Sequence, residues 1–363
     1  MAIMEPTVPP QLDFSKYTSG NTNERELFCR KLRVALQRWG FFSLINYGIP
    51  QADIEKLFEY SRRFFGLTDA QKMSVPHPPV PNPHRGYSFV GQEFTSSLSR
   101  PREIEARNGR RLRDLKETFD WGAVDDQLYP NVWPEDAILP GLRKVLELHF
   151  ARAHKLHLSI LRALAECTGA HPDTFLQAHT RNDSEARLAH YPSVQSGGLG
   201  DEQGTSRICE HTDSGSVTLL WQDAVGGLEI EDPLSRQFIE VRTPAPAVLV
   251  NLGDAMERWS NGVLSAAYHR VGKPGGHDAP SDISERYSIM YFGKPDREAS
   301  LGPLAQYVTA SRPARYPEVT GAALNQGTLQ RTYEPDQAEP MRDPDSSCGR
   351  PVVYFSGAEG LQS

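Results

Sequence analysis

The run CEHTDSGSVTLL, Cys209–Leu220, decides how the chain is read. It opens on polar and ionisable residues and passes into Val217, Leu219 and Leu220, the texture of a strand entering a buried interior. His211 and Asp213 stand two apart at its start. Residues i and i+2 of a strand share a face, so an imidazole and a carboxylate are expected to aim at one point. Both are good ligands for a first-row metal such as iron. Cys209 falls on the same face by alternation and can point toward the metal, although core packing is the expected role of a small apolar thiol. A second His-x-Asp, His171–Asp173, is set aside because Pro172 interrupts it and no strand follows.

Working outward, AYHRV (Ala267–Val271) offers a third ligand, His269, in another short strand. Two histidines and one carboxylate form the facial triad of non-haem Fe(II) oxygenases, which leaves coordination positions open for a bidentate ligand and O2. In ERYSIMYF (Glu285–Phe292), Arg286 and Ser288 share a strand face. A guanidinium beside a hydroxyl holds a carboxylate at two points. The other Arg-x-Ser pair, Arg258–Ser260, lies beside the turn residues Asn261 and Gly262, which favours Arg286. Phe292 lies three alternations beyond Arg286 and is expected to line the same pocket.

The rest of the chain bounds the class. Its 363 residues carry 39 basic and 46 acidic side chains, a net charge of −7. Such a surface repels a phosphate backbone, so nucleic acid is not an expected partner. Four cysteines, Cys29, Cys167, Cys209 and Cys348, lie far apart with no Cys-x-x-Cys pair, which argues against a zinc ribbon or a disulfide framework. No secretory leader or membrane-spanning run is visible, and a reducing cytosolic compartment, no membrane partner and a monomer are the expectations. Glycine (29) and proline (28) are abundant, which favours many turns and short strands.

Helical spacing is expected over 24–40, 51–67 and 140–170. His149, His154 and His157 fall on the third helix and are expected to be solvated or at the core edge. The proline-rich stretch VPHPPVPNPHRGY, 75–87, reads as a loop. From residue 185 onward, short β-rich runs alternate with turns, the signature of an all-β sandwich or barrel.

Taken together, these motifs resemble the isopenicillin N synthase-like Fe(II)- and 2-oxoglutarate-dependent oxygenases. The likeness covers about residues 24–335. It rests on WGFFSLINYGIP (39–50), RGYSFVGQE (85–93), KETFDWG (116–122), the 211–230 run, VNLGDAMERWSNG (250–262), YHRV and ERYSIMYF, all in the family's order and spacing. The resemblance implies a mainly β fold with flanking α-helices, whose core is a double-stranded β-helix or distorted jelly roll. Its implied parts are an N-terminal helical and strand flank (1–140), a catalytic core opened by the long helix (141–310), and a C-terminal helix with a mobile tail (311–363). It implies that His211, Asp213 and His269 bind Fe(II), and that Arg286, Ser288 and Tyr191 hold 2-oxoglutarate. O2 is then the oxidant, with ascorbate as reductant in vitro. Tyr87 lies on a loop that approaches the substrate in relatives.

One departure stands out: the plant enzymes' Asn-Tyr-Tyr-Pro reads Ala189-His190-Tyr191-Pro192, so an alanine replaces the asparagine. His190, next to Tyr191, faces away. The expected activity is oxidation of a small specialised metabolite by hydroxylation, desaturation or ring formation, with release of succinate and CO2. A same-fold iron oxidase that does not use 2-oxoglutarate, or a non-catalytic metal-binding relative, remains an alternative at this point.

Overall fold

The computed structural model describes residues 8–78, 83–195, 198–200, 203–243, 246–275 and 282–336. The N-terminal helix Thr22–Trp39 starts at a capping box, in which Asn21 accepts from the Glu24 N–H while Glu24 reaches back to the Asn21 N–H. It ends at Gly40, whose φ of 60° is left-handed. A Cβ there would meet the Ser265 carbonyl at 2.3 Å, so only glycine lets the chain turn straight into the strand Phe41–Ile45. A second helix, Gln51–Phe65, and the long helix Leu142–Cys167 follow. Pro140 sits before that long helix rather than in its first turn, because Gly141 occupies the left-handed region at φ 80°.

The strands form two principal sheets. The large one has eight strands in the order Gln11–Asp13, Phe41–Ile45, Val248–Leu252, Val217–Gln222, Arg286–Gly293, Glu185–Tyr191, Glu117–Gly122 and Gly86–Ser88. The small one has four, in the order Phe238–Glu240, Leu228–Glu231, His269–Val271 and Ile208–His211. Both ends of the large sheet come from the 1–140 segment, so the N-terminal flank is continuous with the β core.

Period-two alternation divides the large sheet into two environments. Leu188, Val217, Leu219, Trp221, Val250 and Ile289 point outward and share one apolar cluster with Leu156, Ile160 and Leu164 of the long helix. Each such side chain contributes about 2 kcal/mol of burial. Phe41, Ala189, Tyr191, Leu220 and Leu249 point inward, against Leu228, Ile230 and Val271 of the small sheet. The two sheets therefore face one another across a second, smaller core, the jelly-roll arrangement that the strand texture and resemblance led one to expect.

The long helix's histidines correct one expectation. His149 and His157 are buried, not solvated. The His149 ring stands edge-on to Trp221 at 4.8 Å, and burial, aided by Arg152's charge, pushes its pKa down to about 3. The Nε2 atoms of His157 and His179 both meet the Ser216 hydroxyl, at 3.2 and 2.9 Å. Burial lowers both, His179 to about 4. The reason is topological: these positions face the outer side of the large sheet, where no water reaches. Helix Gly321–Tyr333 follows the core. The expected mobile tail beyond residue 336, with Cys348, lies outside the described residues.

These histidines set a pH dependence. A histidine whose folded pKa lies below the ordinary 6.5 takes up its proton only in the unfolded chain at mildly acidic pH. Its stability is present above 6.5 and lost as pH falls toward the folded value. The loss approaches ~1.4 kcal/mol per such histidine per pH unit. Metal-free protein is expected to lose thermal stability from pH 7.5 to 5.5, and His149→Phe to flatten that slope, as followed by unfolding midpoints across the range. An unchanged slope in His149→Phe would show that His149 is not the buried neutral group described.

Candidate metal centre

The centre is built where the small sheet's edge turns back into the large sheet. His211 closes the strand Ile208–His211 and lies directly opposite His269 on the neighbouring strand. Their rings are 4.3 Å apart, centroid to centroid. Asp213 lies past the strand end, in the short loop leading to Val217–Gln222. One oxygen approaches His211 Nε2 at 3.8 Å. One ligand atom from each of the three residues falls within 4.8 Å of the others. The structure brings together the three residues that the sequence singled out, by a partly different route: the carboxylate comes from a loop, not from the strand.

The strand pairing is also irregular. His269 pairs with His211 but Val271 pairs with Ile208, so three positions on one strand span two on the other. This bulge breaks the alternation. Ile208 and His211 both face the cavity, while Cys209 turns away toward Arg107, whose Nη1 lies 4.0 Å from the sulfur. Burial there pushes the Cys209 thiol up to about 12.

The ligands are prepared for a cation. His211 Nδ1 meets the Cys209 carbonyl at 2.9 Å and His269 Nδ1 meets the Ala267 carbonyl at 3.0 Å. A carbonyl only accepts, so Nδ1 carries the proton in both rings and each Nε2 lone pair is left for a metal. Burial and the neighbouring His269 press His211's pKa down to about 3, which keeps it neutral. Asp213 would be raised by burial. The two imidazoles and the hydrogen bonds from Thr218 Oγ1 (2.6 Å) and Asn251 Nδ2 (2.8 Å) outweigh that and lower it. Two neutral nitrogens and one anionic oxygen, half-open to a cavity, fit a divalent first-row ion.

The cavity has a volume of about 120 Å³. At one end lie Tyr191, Arg286 and Ser288, brought together because the strands Glu185–Tyr191 and Arg286–Gly293 pair Arg286 with Tyr191 and Ser288 with Ala189. Arg286 is 1% exposed. It donates to Ser288 Oγ at 3.1 Å and Gln222 Oε1 at 2.9 Å, both neutral acceptors, and stacks 4.8 Å from the Tyr191 ring centre. The other end is lined by Phe292 together with His84, Glu93, Lys116, Arg187, Lys294 and Asn325. His190 faces away as expected, bonded to Glu117 at 2.7 Å.

Tyr87 is a correction. It does not line this cavity. Its strand pairs with Glu117–Gly122, and alternation turns the ring outward against Phe64 while its hydroxyl donates to Glu117 at 2.6 Å. Sequence reading also passed over Arg187, Lys116 and Asn251. Arg187 was within reach: it precedes Ala189 and Tyr191 by two and four positions on one strand face. Lys116 and Asn251 needed the sheet order.

A second group of ligand types, His84, Glu93 and Asp120, also lies within 4.8 Å. It already holds a cation, the Arg187 guanidinium, which donates to Asp120 at 2.7 Å and to Glu93 at 2.9 Å. Lys116 adds a further ion pair to Glu93 at 2.8 Å.

Known proteins match along most of the chain. Residues 9–136 match the family described as the N-terminal region of non-haem dioxygenases in morphine synthesis, and residues 165–295 match the 2OG-Fe(II) oxygenase superfamily. A 2-oxoglutarate-Fe(II) type oxidoreductase of Metarhizium rileyi is 40% identical, over 93% of this chain and 94% of that one. A proline hydroxylase of Petromyces alliaceus is also 40% identical, over 89% of this chain and 99% of that one. Among solved structures, full-length Neurospora crassa T7H in complex with alpha-KG and thymine superposes with a TM-score of 0.78 at 32% identity. That match covers 88% of this chain and 96% of T7H.

Asn251→Ala removes one of the two side chains orienting Asp213. Divalent metal affinity is expected to fall about 10- to 100-fold, measured by titrating metal-free protein, with the unfolding midpoint of the metal-free form little changed. Unaltered affinity would mean that Asn251 does not orient a ligand.

Proposed function

The chain belongs to the 2-oxoglutarate- and Fe(II)-dependent oxygenase family, and from that premise we propose residue roles and a substrate class for it. It is a 2-oxoglutarate-dependent non-haem iron dioxygenase, and its cofactors are Fe(II) and 2-oxoglutarate. His211, Asp213 and His269 hold the iron. Arg286 and Ser288 take the far carboxylate of 2-oxoglutarate, with Tyr191 against them. When bound, iron and 2-oxoglutarate together supply the oxidising chemistry, in which O2 and the co-substrate yield succinate, CO2 and an oxidised substrate.

The observation that carries this reading is the state of Arg286. It is buried, yet it is hydrogen-bonded only to Ser288 and Gln222, with no carboxylate partner among the described residues. An isolated buried charge is costly and is normally paired. Here the triad lines the same cavity as Arg286, so one dicarboxylate can meet both. Leu220, Leu228 and Val271 line the cavity as well. Their dry surface strengthens the carboxylate's attraction to Arg286 and keeps water from competing for it. Thr218 and Asn251 keep Asp213 oriented, and the Nδ1–carbonyl bonds keep both imidazoles in the ligand tautomer.

The substrate is a small polar metabolite of specialised metabolism. Its end of the cavity presents one aromatic ring, Phe292, amid charged and amide groups, which suits neither a large fused-ring nor a long apolar molecule. The relatives named for proline hydroxylation and for a thymine complex handle compounds of that kind. The acidic net charge of −7 disfavours a nucleic-acid partner, and the proposed state is a cytosolic monomer acting on a small molecule. No helix among the described residues is long and apolar enough to cross a membrane.

Adding 2-oxoglutarate anaerobically to the Fe(II) protein is expected to produce a new visible absorption. Under air with ascorbate, succinate should form. Arg286→Gln should weaken 2-oxoglutarate binding about 100-fold while leaving metal affinity unchanged, since a truncated charge pair typically costs ~2–5 kcal/mol. A wild-type Fe(II) protein with no spectral response to 2-oxoglutarate would sink the reading.

A further inference from the structure

Arg207 sits just before the strand that ends in His211, and it is the second buried arginine beside Tyr191. It is 1% exposed, like Arg286. Its guanidinium carbon lies 5.9 Å from the Tyr191 ring centre, against 4.8 Å for Arg286. One nitrogen, Nη2, donates to the Ser284 carbonyl, two residues before the strand that begins at Arg286. The other two, Nε and Nη1, have no hydrogen-bond partner among the described residues, and neither does Arg286 Nε. No carboxylate among the described residues is ion-paired or hydrogen-bonded to either arginine. Asp223, the acidic group that acts on Arg207 through space, spends its oxygens on the backbone N–H groups of Val225 and Tyr287. Burial and the nearby Arg286 charge pull the Arg207 pKa down to about 10, so it stays cationic at neutral pH.

Two like charges are therefore held side by side in a dry interior, with three guanidinium nitrogens unpartnered among the described residues. Each unmet buried donor costs ~1–3 kcal/mol, and two buried cations repel. An anion that arrives beside Arg286 can meet that residue's free Nε, and its charge offsets the repulsion between the two cations. The departure at Ala189 gives this a place in the site. Ala189 is the cross-strand partner of Ser288, and its methyl contributes no hydrogen bond where the plant relatives have an asparagine.

We propose that Arg207 is a positioning residue for 2-oxoglutarate, supplying a second positive charge at the carboxylate end and bracing Tyr191 and the start of the Arg286 strand. Arg207 does not line the cavity, so it acts through its field and through these neighbours rather than by touching the co-substrate. This rests on the assignment of Arg286 to the far carboxylate.

The test is anaerobic titration of the Fe(II) protein with 2-oxoglutarate and, in parallel, with 2-oxopentanoate, which replaces the far carboxylate by a methyl. Arg207→Met should weaken 2-oxoglutarate about tenfold and leave 2-oxopentanoate within twofold. Arg207→Lys should recover 2-oxoglutarate binding to within threefold of wild type. Because Arg207→Met removes an uncompensated cation, the ligand-free unfolding midpoint should stay level or rise, whereas a purely structural arginine would lower it. Should Arg207→Met fail to fold, Arg207→Gln carries the same comparison. Arg207→Met binding 2-oxoglutarate within twofold of wild type overturns the proposal, as does equal weakening of both ligands. A wild-type protein that ignores 2-oxoglutarate overturns the underlying assignment, and this inference with it.

Discussion

The hold of Thr218 and Asn251 on Asp213 is the contact through which the two sheets become one site. His211 and His269 belong to the small sheet, while Thr218 and Asn251 belong to neighbouring strands of the large one. Asp213 lies in the connection between the sheets, and its carboxylate is fastened to the large sheet's inner face. Its backbone is fastened too: the Asp213 carbonyl accepts from the Asp254 N–H at 2.7 Å. Gly253 leaves room for this, since a Cβ there would meet the Asp213 carbonyl at 2.6 Å and the Gly215 carbonyl at 2.3 Å. The distance between histidines and carboxylate is thereby a property of sheet packing rather than of one flexible loop.

Around that point the interior carries an unusual load of buried charge, handled in two ways. At the Phe292 end of the cavity the charges neutralise one another. Arg187 meets Asp120 and Glu93, Lys116 meets Glu93 and Asp114, and Lys294 meets Glu185. The Glu93 carboxyl, which burial alone would raise, is held well below its ordinary value by Arg187 and Lys116. Such a network is costly to assemble and stiff once complete, because removing one partner strands another. At the opposite end the account is left open. Arg286 and Arg207 share a region where neither has a carboxylate partner among the described residues. A closed network suits a wall that must keep its shape. An open one suits a place where a ligand's charge completes the structure.

How much of this could be read in advance varies with the range of the interaction. The main strands, from Glu185–Tyr191 to Arg286–Gly293, were visible because half-buried strands write their period into local composition. The helix Thr22–Trp39 was visible from residue 24 because its apolar residues recur at helical spacing, whereas its start at the Asn21 capping box was not read. Cys209 was ambiguous because a bulge shifts the alternation by one residue, and a bulge leaves no reliable mark in a single sequence. Tyr87 was placed wrongly because the loop resemblance did not reveal that Gly86–Ser88 is a paired edge strand, whose alternation sends the ring toward Phe64. His149 and His157 looked like polar residues on a helix surface, and only the sheet packed against that surface makes it an interior.

By itself the sequence determined the chemistry available: two histidines and an aspartate with the right neighbours, an Arg-x-Ser strand, and a run of short strands able to enclose them. These follow from residue type and near spacing, which the chain carries explicitly. Tertiary structure decided what those groups meet. It set His269 opposite His211, gave Asp213 its two anchors from another sheet, satisfied Arg187 with Asp120 and Glu93, and left Arg207 and Arg286 without an anion. Electrostatic and hydrogen-bond partners act over a few ångströms but come from residues tens to hundreds of positions apart, so which charges are met and which are left waiting is settled only when the sheets close.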